Sequence, residues 1–349
     1  MRKLLITLLL CSLIGSALAN NQTQYKKNHK AIHKKHIKKG KHTPKTTHNK
    51  HKKSHKTHRH TKVDTSTSAQ ETAYLPNQQK LTQKKSIQNN HLQDFVDKKS
   101  VSGQPRLNSF SAIALNANTG EIIISKNPNA KLPIASITKL MTAMVVLDSG
   151  VNLNDYVAIS NADIDTLRNT YSRLKVGMQF RRKDLLLLAL MSSENRAAHA
   201  LGRTTFKGGT STFIRKMNEK AQDIGMSNTQ FYDSTGLTSQ NKSTALDLSK
   251  MVKTAYAYDE IKKFSTTKNA DVMFGPRYVH RYINSDSLVR GNTFPIQLSK
   301  TGFINEAGHC LALYSIVDNK PIVMVFLNST GKNGRVIDAI TIKKYVQRG

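Results

Sequence analysis

The chain contains very little cysteine. Only Cys11 and Cys310 occur among its 349 residues, and Cys11 lies in a leader that we expect to be removed. A single remaining thiol cannot form an internal disulfide, so the mature part must be stable through its core alone. Cys310 opens the apolar run 310–313 and is interpreted as a small buried hydrophobic residue rather than a reactive thiol.

Long apolar runs are also scarce, because only the start of the chain has one. Residues 4–14 form this run, after Arg2 and Lys3, and small residues of a cleavage site lie at 17–19. The arrangement is typical of a secretory signal peptide, so we predict a cleavable leader at residues 1–19 and export of the remainder. The run is short for a membrane span, and an uncleaved anchor is the alternative.

Acidic residues are few. The chain has 22 Asp and Glu against 54 Lys and Arg, for a formal net charge of +32. Residues 21–62 hold fourteen lysines, one arginine and nine histidines but no acidic residue. Such a segment cannot bury enough apolar surface to offset the entropy lost on ordering. We therefore predict that residues 20–104 form a disordered, Lys/His-rich basic tether.

Three interpretations of this tether stay open. The first is a soluble spacer. The second is a polycation that adheres to anionic envelope polymers, which export favours over nucleic acid as a partner. The third is metal binding through the histidines, although these are scattered without a fixed zinc spacing.

From about residue 105 the composition is globular, and strand patterns lie at both ends of this part. Strands are predicted at 111–115, 121–124, 297–300, 310–317 and 322–327, and Asp318, Asn319 and Lys320 are predicted to form the turn between the last two. Helices are predicted at 136–147, 184–191, 196–201, 213–224, 244–257 and 336–346. Strands at both ends with helices between them predict an α/β domain of the α+β type at residues 105–349, an antiparallel sheet with a mostly helical insertion.

The first motif that carries chemistry is S-x-x-K, from Ser136 to Lys139. On a helix, residues three apart share a face, so an amine is held beside a hydroxyl. A serine hydroxyl becomes a useful nucleophile when a base takes its proton, and a lysine can be that base if burial lowers its pKa. The pattern occurs five times in the chain, so one copy alone is weak evidence.

The second motif is S-x-N, from Ser193 to Asn195, which interrupts a leucine-rich helix. A turn at this place can aim a hydroxyl and an amide at one point. The alternative is a helix cap, a position that Ser and Asn often fill.

The third motif is K-T-G, formed by Lys300, Thr301 and Gly302 at the end of a predicted strand. A glycine there lets a substrate chain approach the strand closely, and the other two side chains can hold a carboxylate. The alternative is an ordinary turn at a strand end.

The three motifs together are far more specific than any one of them. They occur in the order S-x-x-K, S-x-N and K-T-G, at a helix start, an interhelical turn and a strand, and this set is typical of penicillin-binding proteins and serine β-lactamases. Over residues 106–349 the chain resembles the low-molecular-mass D-alanyl-D-alanine endopeptidases of Gram-negative bacteria. The stretches 133–135, 231–237 and 300–310 strengthen the resemblance. Glu194 replaces the Asp of the usual triplet, at a position that varies in the family.

The resemblance implies a serine β-lactamase/DD-peptidase transpeptidase-like fold and a set of catalytic residues. Ser136 would attack the carbonyl of a D-Ala residue and form an acyl-enzyme, with Lys139 as general base. Ser193 would relay the proton to the departing amine. The backbone N–H groups of Ser136 and Phe303 would form the oxyanion hole.

The resemblance also implies a substrate-binding set. Asn195 would bind the substrate backbone, and Lys300 would supply positive charge. Thr301 would hold a carboxylate near the scissile bond, with Gly302 beside it. No metal and no cofactor are expected. The implied partners are peptidoglycan stem peptides in the periplasm, with β-lactams as covalent inhibitors, and no nucleic acid.

Alternatives within this reading stay open. A serine β-lactamase of class A would carry a Glu-x-x-Leu-Asn segment that drives deacylation, and none occurs between Asn195 and Lys300. We therefore expect β-lactams to be released slowly from Ser136, as in a penicillin target rather than a resistance enzyme. A D-Ala-D-Ala carboxypeptidase would have a further C-terminal β-domain, and the chain stops at Gly349, so we expect the endopeptidase type. A non-catalytic cell-wall binding protein that β-lactams acylate is the third possibility.

Five further polar residues are interpreted as structural rather than catalytic. The three histidines are expected on a core or helix face, and the two acids in loops. They are His199, His280, His309, Asp233 and Glu306.

Overall fold

The computed structural model describes residues 103–274, 278–291 and 295–348. Its strands are β1 Ser109–Asn116, β2 Ile122–Lys126, β3 Leu132–Pro133, β4 Tyr156–Ala158, β5 Gln179–Arg181, β6 Lys242–Ser243, β7 Asn269–Met273, β8 Val279–Ile283, β9 Ile296–Ile304, β10 Gly308–Val317 and β11 Lys320–Ser329. Its α-helices are α1 Thr138–Asp148, α2 Arg182–Met191, α3 Asn195–Thr204, α4 Gly209–Asp223, α5 Ala245–Ala255, α6 Asp259–Thr266, α7 Ser287–Gly291 and α8 Gly334–Gln347.

Some predictions concern residues that are not described. The expected signal peptide, and the expected tether apart from its last two residues, lie outside the described ranges. Within those ranges, no helix is both long and apolar enough to cross a bilayer.

The central element is a five-stranded antiparallel sheet in the order β2-β1-β11-β10-β9. The chain enters the sheet through β1 and β2, leaves it for residues 127–295, and returns through β9, β10 and β11. Most of the helices lie in this excursion. The prediction of an antiparallel sheet with a mostly helical insertion is therefore confirmed.

Both faces of the sheet are buried, which explains why its strands read as continuous apolar runs. In β1, Ile113 belongs to the core under the helical insertion, whereas Ala112 and Ala114 belong to the core under α8. In β11, Val325 and Phe326 divide between the two cores in the same way. Successive side chains of a strand point to opposite faces, so a sheet covered on both sides needs apolar residues at every position.

The turn between β10 and β11 has the chemistry that the sequence indicated. Asp318 and Asn319 both adopt positive φ, of 48° and 61°. Two-residue hairpin loops of this kind require φ > 0 at both central residues, and Asn and Asp tolerate this conformation better than most residues. The local sequence thus sets the register of the last hairpin.

Helix α8 is fixed to the start of β1 by one buried carboxylate. Asp338 accepts hydrogen bonds from the backbone N–H groups of Asn108, at 2.7 Å, and Ser109, at 2.8 Å. It also accepts from the Ser109 hydroxyl at 2.5 Å. Residues more than 200 positions apart in the sequence are joined in this way, and the closing helix is held against the sheet.

Two predicted boundaries at the motifs were wrong. Ser136 was placed in an α-helix, but it lies in a 3-10 turn, Ala135–Ile137, that precedes α1. The K-T-G triplet was placed at a strand end, but β9 continues to Ile304. Pairing with β10 extends the strand through the glycine, because Gly302 lies opposite Cys310 in the register.

Several short elements were not predicted. These are α6, α7 and three two-stranded pairs, β3 with β6, β4 with β5, and β7 with β8. Each buries few side chains, so its apolar pattern is weak. In α6, for example, only Ile261 and Ser265 are buried. Cys310, in contrast, is buried as predicted, and burial raises the pKa of its thiol to about 11.

Candidate active site

The hydroxyl of Ser136 and the amine of Lys139 lie in direct hydrogen-bond contact. The distance from Lys139 Nζ to Ser136 Oγ is 2.8 Å. Ser136 occupies the 3-10 turn and Lys139 the first turn of α1. One helical turn therefore brings the two groups together, as the S-x-x-K spacing predicts.

Lys139 is buried, and two further oxygen atoms hold its amine. Nζ lies 2.8 Å from Asn195 Oδ1 and 2.6 Å from the carbonyl oxygen of Thr235. Burial lowers the pKa of Lys139 to about 7, although the charges of Asp233 and Glu194 partly oppose the shift. In the neutral amine, two N–H bonds can serve these two acceptors, which directs the lone pair toward the Ser136 hydroxyl.

The Thr235 carbonyl is positioned by a loop that folds around Asp233. This carboxylate accepts hydrogen bonds from the backbone N–H groups of Thr235 at 3.0 Å, Gly236 at 2.6 Å and Leu237 at 3.1 Å. A further hydrogen bond comes from Asn241 Nδ2 at 2.9 Å. The prediction that Asp233 serves a loop is consistent with these contacts.

The S-x-N motif forms the turn between α2 and α3, as expected. Ser193 has a φ of 62°, a left-handed conformation that non-glycine residues rarely adopt. Its hydroxyl accepts a hydrogen bond from Lys300 Nζ at 2.9 Å. Asn195 is the first residue of α3, and its Nδ2 donates to Thr170 Oγ1 at 3.1 Å. The turn thus contacts both buried lysines.

Lys300 is buried on β9, and its amine also donates to the carbonyl oxygen of Thr301 at 2.9 Å. Burial, followed by the charge of Lys139, holds its pKa well below the usual range, and Asp286 partly opposes this shift. The charged forms of Lys139 and Lys300 therefore disfavour each other. An anion that binds near the two amines would stabilise both charged forms.

The backbone of β9 closely approaches the turn that carries Ser136. A Cβ atom added at Gly302 would lie 3.1 Å from both Ser136 N and Ala135 Cβ. From the other side, a Cβ added at Gly236 would lie only 1.9 Å from the Ala135 carbonyl oxygen. Ala135 itself has a φ of 46°. Because Gly236 and Gly302 have no side chain, the two segments that carry them can pack closely against Ala135 on both sides.

The remaining predicted site residues lie on the same strand. The Thr301 hydroxyl is 2.7 Å from the Ser285 hydroxyl. The side chain of Phe303 is 54% exposed, and its ring stacks on His309 with centroids 4.4 Å apart. All eight predicted residues lie on three adjoining segments: the 3-10 turn with α1, the S-x-N turn with α3, and β9.

Sequence reasoning missed three contributors to the site. Thr235 supplies a carbonyl acceptor, and Thr170 holds the Asn195 amide. Arg335, at the start of α8, contributes to the electrostatics of Lys300, and its Nε and Nη1 are buried without a partner among the described residues. The stretch 231–237 gave a signal for Thr235, whereas Arg335 read only as the start of the closing helix.

The other polar residues that were set aside have structural partners. His199 Nδ1 lies 2.8 Å from Asp163 Oδ1, and Arg203 binds the same carboxylate at 2.8 Å. Glu306 pairs with Arg168 at 2.8 Å. Across residues 103–274, 278–291 and 295–348, no group of three or more His, Cys, Asp or Glu is arranged to hold a metal ion. The expectation that no metal or cofactor takes part stays a prediction.

Comparison with known proteins agrees with this geometry. A family model described as D-alanyl-D-alanine carboxypeptidase, of the S11 peptidases, matches residues 98–331. The D-alanyl-D-alanine endopeptidase of Pseudomonas aeruginosa is 42% identical over 247 residues, which are 70% of this chain and 79% of the relative. The corresponding Escherichia coli K12 protein is 41% identical over 250 residues, or 71% and 80% of the two chains.

A solved structure gives the same fold. The crystal structure of the Streptomyces K15 DD-transpeptidase aligns with a TM-score of 0.66 at 28% identity, covering 70% of this chain and 99% of that one. The fold is therefore that of the penicillin-binding DD-peptidases, and the chain belongs to the S11 family of D-alanyl-D-alanine carboxypeptidases, which are serine DD-peptidases.

Proposed function

We propose that this protein is a serine D-alanyl-D-alanine endopeptidase that hydrolyses peptidoglycan cross-links through an acyl-enzyme on Ser136. The observation that carries the proposal is the placement of a buried amine of lowered pKa, that of Lys139, 2.8 Å from the Ser136 hydroxyl. A nucleophile beside a base, with the base oriented by other groups, is the arrangement that acyl transfer requires.

Acylation follows from the atoms around Ser136. Lys139 Nζ takes the hydroxyl proton while Oγ attacks the carbonyl carbon of D-Ala, so a C–O bond forms and the carbonyl oxygen gains negative charge. The backbone N–H groups of Ser136 and Phe303 are the proposed donors to this oxygen. Removing one such donor typically lowers the rate about 100- to 1000-fold.

Collapse of the intermediate then breaks the C–N bond, and the leaving amine needs a proton. The Ser193 hydroxyl is suited to deliver it, because Lys300 Nζ donates to its oxygen at 2.9 Å and leaves the hydroxyl proton free to point elsewhere. Ser193 takes the proton of Lys139 in exchange, so the Lys139 amine is neutral again. Water later attacks the ester in the reverse order, with Lys139 again as base. The Ser136 hydroxyl is restored and the acyl group leaves as a carboxylate.

Carboxylate recognition is proposed for the K-T-G strand. Thr301 offers a hydroxyl, Lys300 a buried amine, and Arg335 two buried nitrogen atoms that lack a partner among the described residues. Buried guanidinium nitrogens without partners are unfavourable unless a ligand anion completes them. In a D-Ala to diaminopimelate cross-link, the carboxylate next to the scissile nitrogen supplies this anion.

Endopeptidase rather than carboxypeptidase activity is favoured by the relatives. The two proteins at 42% and 41% identity are named D-alanyl-D-alanine endopeptidases. The E. coli K12 relative that is named a D-alanyl-D-alanine carboxypeptidase is only 25% identical. Carboxypeptidase activity remains the second candidate, because the family model itself carries that description.

Further parts of the proposal concern the setting of the enzyme. We place it in the periplasm, exported by a signal peptide at residues 1–19, with the catalytic domain at 105–349 and β-lactams as covalent inhibitors. The basic segment 20–104 is proposed to tether this domain and to contact anionic envelope polymers. Support for the tether comes from its composition, with fourteen lysines and no acidic residue between 21 and 62.

The test uses purified full-length protein and cross-linked muropeptide dimers, followed by mass spectrometry. Release of monomers is expected. Loss of a terminal D-Ala from pentapeptides, without monomer release, would instead identify a carboxypeptidase. No change in either substrate, despite labelling by a fluorescent penicillin, would indicate the non-catalytic binding protein.

A matched pair of variants separates the nucleophile from general effects. Ser136→Ala is expected to abolish both dimer cleavage and penicillin labelling. Ser239→Ala alters another of the five S-x-x-K copies and is expected to preserve both. Loss of labelling in the second variant alone would overturn the assignment of Ser136.

A further inference from the structure

A cavity lies beside the S-x-N turn between α2 and α3. Its volume is about 190 Å³, which is room for a group of several heavy atoms. Ser193 and Asn195 line it, so the cavity adjoins residues that contact both buried lysines. Its other walls come from the segment before β5, from the turn between α2 and α3, and from β8, and they are Tyr171, Arg173, Ser192, Glu194 and Tyr282.

The walls carry groups of opposite charge. The guanidinium of Arg173 stacks over the Tyr282 ring, with Cζ 4.1 Å from the centroid, and it donates to the Arg281 carbonyl oxygen at 2.8 Å. Glu194 brings a carboxylate to the same cavity. A pocket with one cationic and one anionic wall is complementary to a ligand group that carries both charges.

The third polar group is the hydroxyl of Tyr282. The residue is only 1% exposed, and its hydroxyl has no hydrogen-bond partner in the part of the chain that the structure describes. Buried polar groups in folded proteins are nearly always paired. An unpaired hydroxyl on a residue that lines a cavity next to the active site indicates a group that a ligand completes.

The electrostatics of these groups fit the same ligand. Burial raises the pKa of Glu194, although a hydrogen bond from Ser172 partly opposes the shift, so an incoming ammonium would stabilise the ionised carboxylate. Burial and the charge of Glu194 raise the pKa of Tyr282. The hydroxyl therefore stays protonated near neutral pH and can donate to a carboxylate.

We propose that this cavity binds a free amino-acid end, ammonium and carboxylate together, on the diamino acid that precedes the scissile D-Ala. Its ammonium faces Glu194, and its carboxylate faces Arg173 and the Tyr282 hydroxyl. The D-Ala side chain is a methyl group, too short and uncharged for this pocket. The carboxylate on the leaving side is assigned to the K-T-G strand, so the occupant belongs to the acyl side. The inference rests on the peptidase activity proposed above.

Two synthetic dimers that differ only at this end provide the test. In one, the acyl-side residue is diaminopimelate with free amino and carboxyl groups, and in the other it is lysine, which lacks the carboxylate. We expect wild-type protein to cleave the first with a kcat/KM about 10-fold higher or more, the range of one charge-assisted hydrogen bond. Equal kcat/KM values for the two dimers would overturn the subsite and leave the peptidase assignment standing.

The variants Arg173→Gln and Tyr282→Phe test whether this cavity causes the preference for the diaminopimelate dimer over the lysine dimer. Arg173→Gln is expected to remove most of it by lowering kcat/KM for the diaminopimelate dimer alone, and Tyr282→Phe is expected to reduce it a few-fold. Both should be labelled by fluorescent penicillin as fast as wild type. A loss of equal size on both dimers would contradict the assignment, and cleavage of neither dimer by wild type would overturn the subsite and the endopeptidase proposal together.

A structural control accompanies these variants. Tyr282→Phe removes an unpaired hydroxyl, so its melting temperature should not fall. Tyr314→Phe makes the same change at another buried tyrosine, which stacks on Tyr256 with centroids 3.7 Å apart and does not line the cavity. This variant should keep the wild-type preference between the two dimers. A changed preference in Tyr314→Phe would show that the effect is not specific to the pocket.

Discussion

Lys139 and Lys300 bind neighbouring residues of a single turn. Lys139 Nζ contacts Asn195 Oδ1 at 2.8 Å, and Lys300 Nζ contacts Ser193 Oγ at 2.9 Å. Burial lowers the pKa of both amines, and the charge of Lys139 further lowers that of Lys300. The site therefore disfavours two simultaneous ammonium groups.

Acylation should accelerate as pH rises through about 7, the pKa of Lys139. Only the neutral amine can accept the Ser136 proton, and its fraction falls about tenfold for each pH unit below that pKa. The second-order rate of labelling by a fluorescent penicillin, measured between pH 5 and 9, tests this. A rate that is flat or that falls with rising pH in this range would contradict Lys139 as the base.

The variant Lys139→Arg is the control for the pH profile. An arginine keeps the positive charge but stays protonated, since its pKa exceeds about 12. We expect labelling to slow by about 100-fold or more, the usual contribution of a general base, without a rise near pH 7.

Gly302→Ala should damage acylation more than stability. The new methyl would lie 3.1 Å from Ser136 N and from Ala135 Cβ, so β9 and the nucleophile turn must move apart. We expect at least a tenfold slower rate of penicillin labelling, because small displacements of reacting groups have large effects on rate.

Gly150→Ala is the opposite case. Gly150 has a φ of 69° and open space around it, so a methyl meets no neighbour but forces a left-handed conformation that costs about 1–2 kcal/mol. Its melting temperature should fall while labelling stays unchanged. Similar effects of the two substitutions on labelling would refute the close-approach argument.

Asp163 should protect the fold against acid. Burial alone would raise its pKa, but hydrogen bonds from His199, Arg203 and Ser160 outweigh burial and hold the pKa well below its usual value. A carboxyl with a depressed folded pKa contributes stability above its unfolded pKa of about 3.9, and this contribution is lost as pH falls below it.

Urea unfolding of wild type and Asp163→Asn at several pH values measures this contribution. The variant should be less stable at pH 7, and the difference should shrink as pH falls from 4 toward 2. A difference that grows in acid would mean that the sign is wrong.

Asp338→Ala should destabilise the fold without altering the chemistry. The carboxylate accepts hydrogen bonds from Asn108 and Ser109, and its loss leaves their buried donors unpaired. We expect the free energy of unfolding to fall by about 2–4 kcal/mol. Penicillin labelling at low temperature should match wild type, and unchanged unfolding would show that this link contributes nothing.

The sequence was most informative where local chemistry decides the structure. The Asp318 and Asn319 turn follows from residues that tolerate positive φ. The strands of the central sheet follow from apolar runs long enough to be buried on both faces. The three motifs could be ordered along the chain, and their helix, turn and strand settings were close to those observed.

Tertiary contacts decided what the sequence did not predict. Ser136 lies in a 3-10 turn because Ala135 adopts a φ of 46° between Gly302 and Gly236, which no local pattern encodes. Arg335 lies in the closing helix, far from Lys300 in the sequence, yet its charge lowers the pKa of Lys300. The spacing of apolar residues along the chain does not predict contacts of this kind between segments that are far apart in the sequence.

Ala135 and Ser193 share one property: both are non-glycine residues with positive φ, of 46° and 62°. Such conformations typically cost about 1 kcal/mol or more each and persist only where the surroundings enforce them. The other described non-glycine residues with positive φ are all Asn or Asp, which tolerate this conformation best, so the least favourable backbone geometry borders the two serine hydroxyls of the cleft. On gentle warming, we expect penicillin labelling to disappear at a lower temperature than the circular dichroism of the sheet and helices, so that inactivation precedes melting.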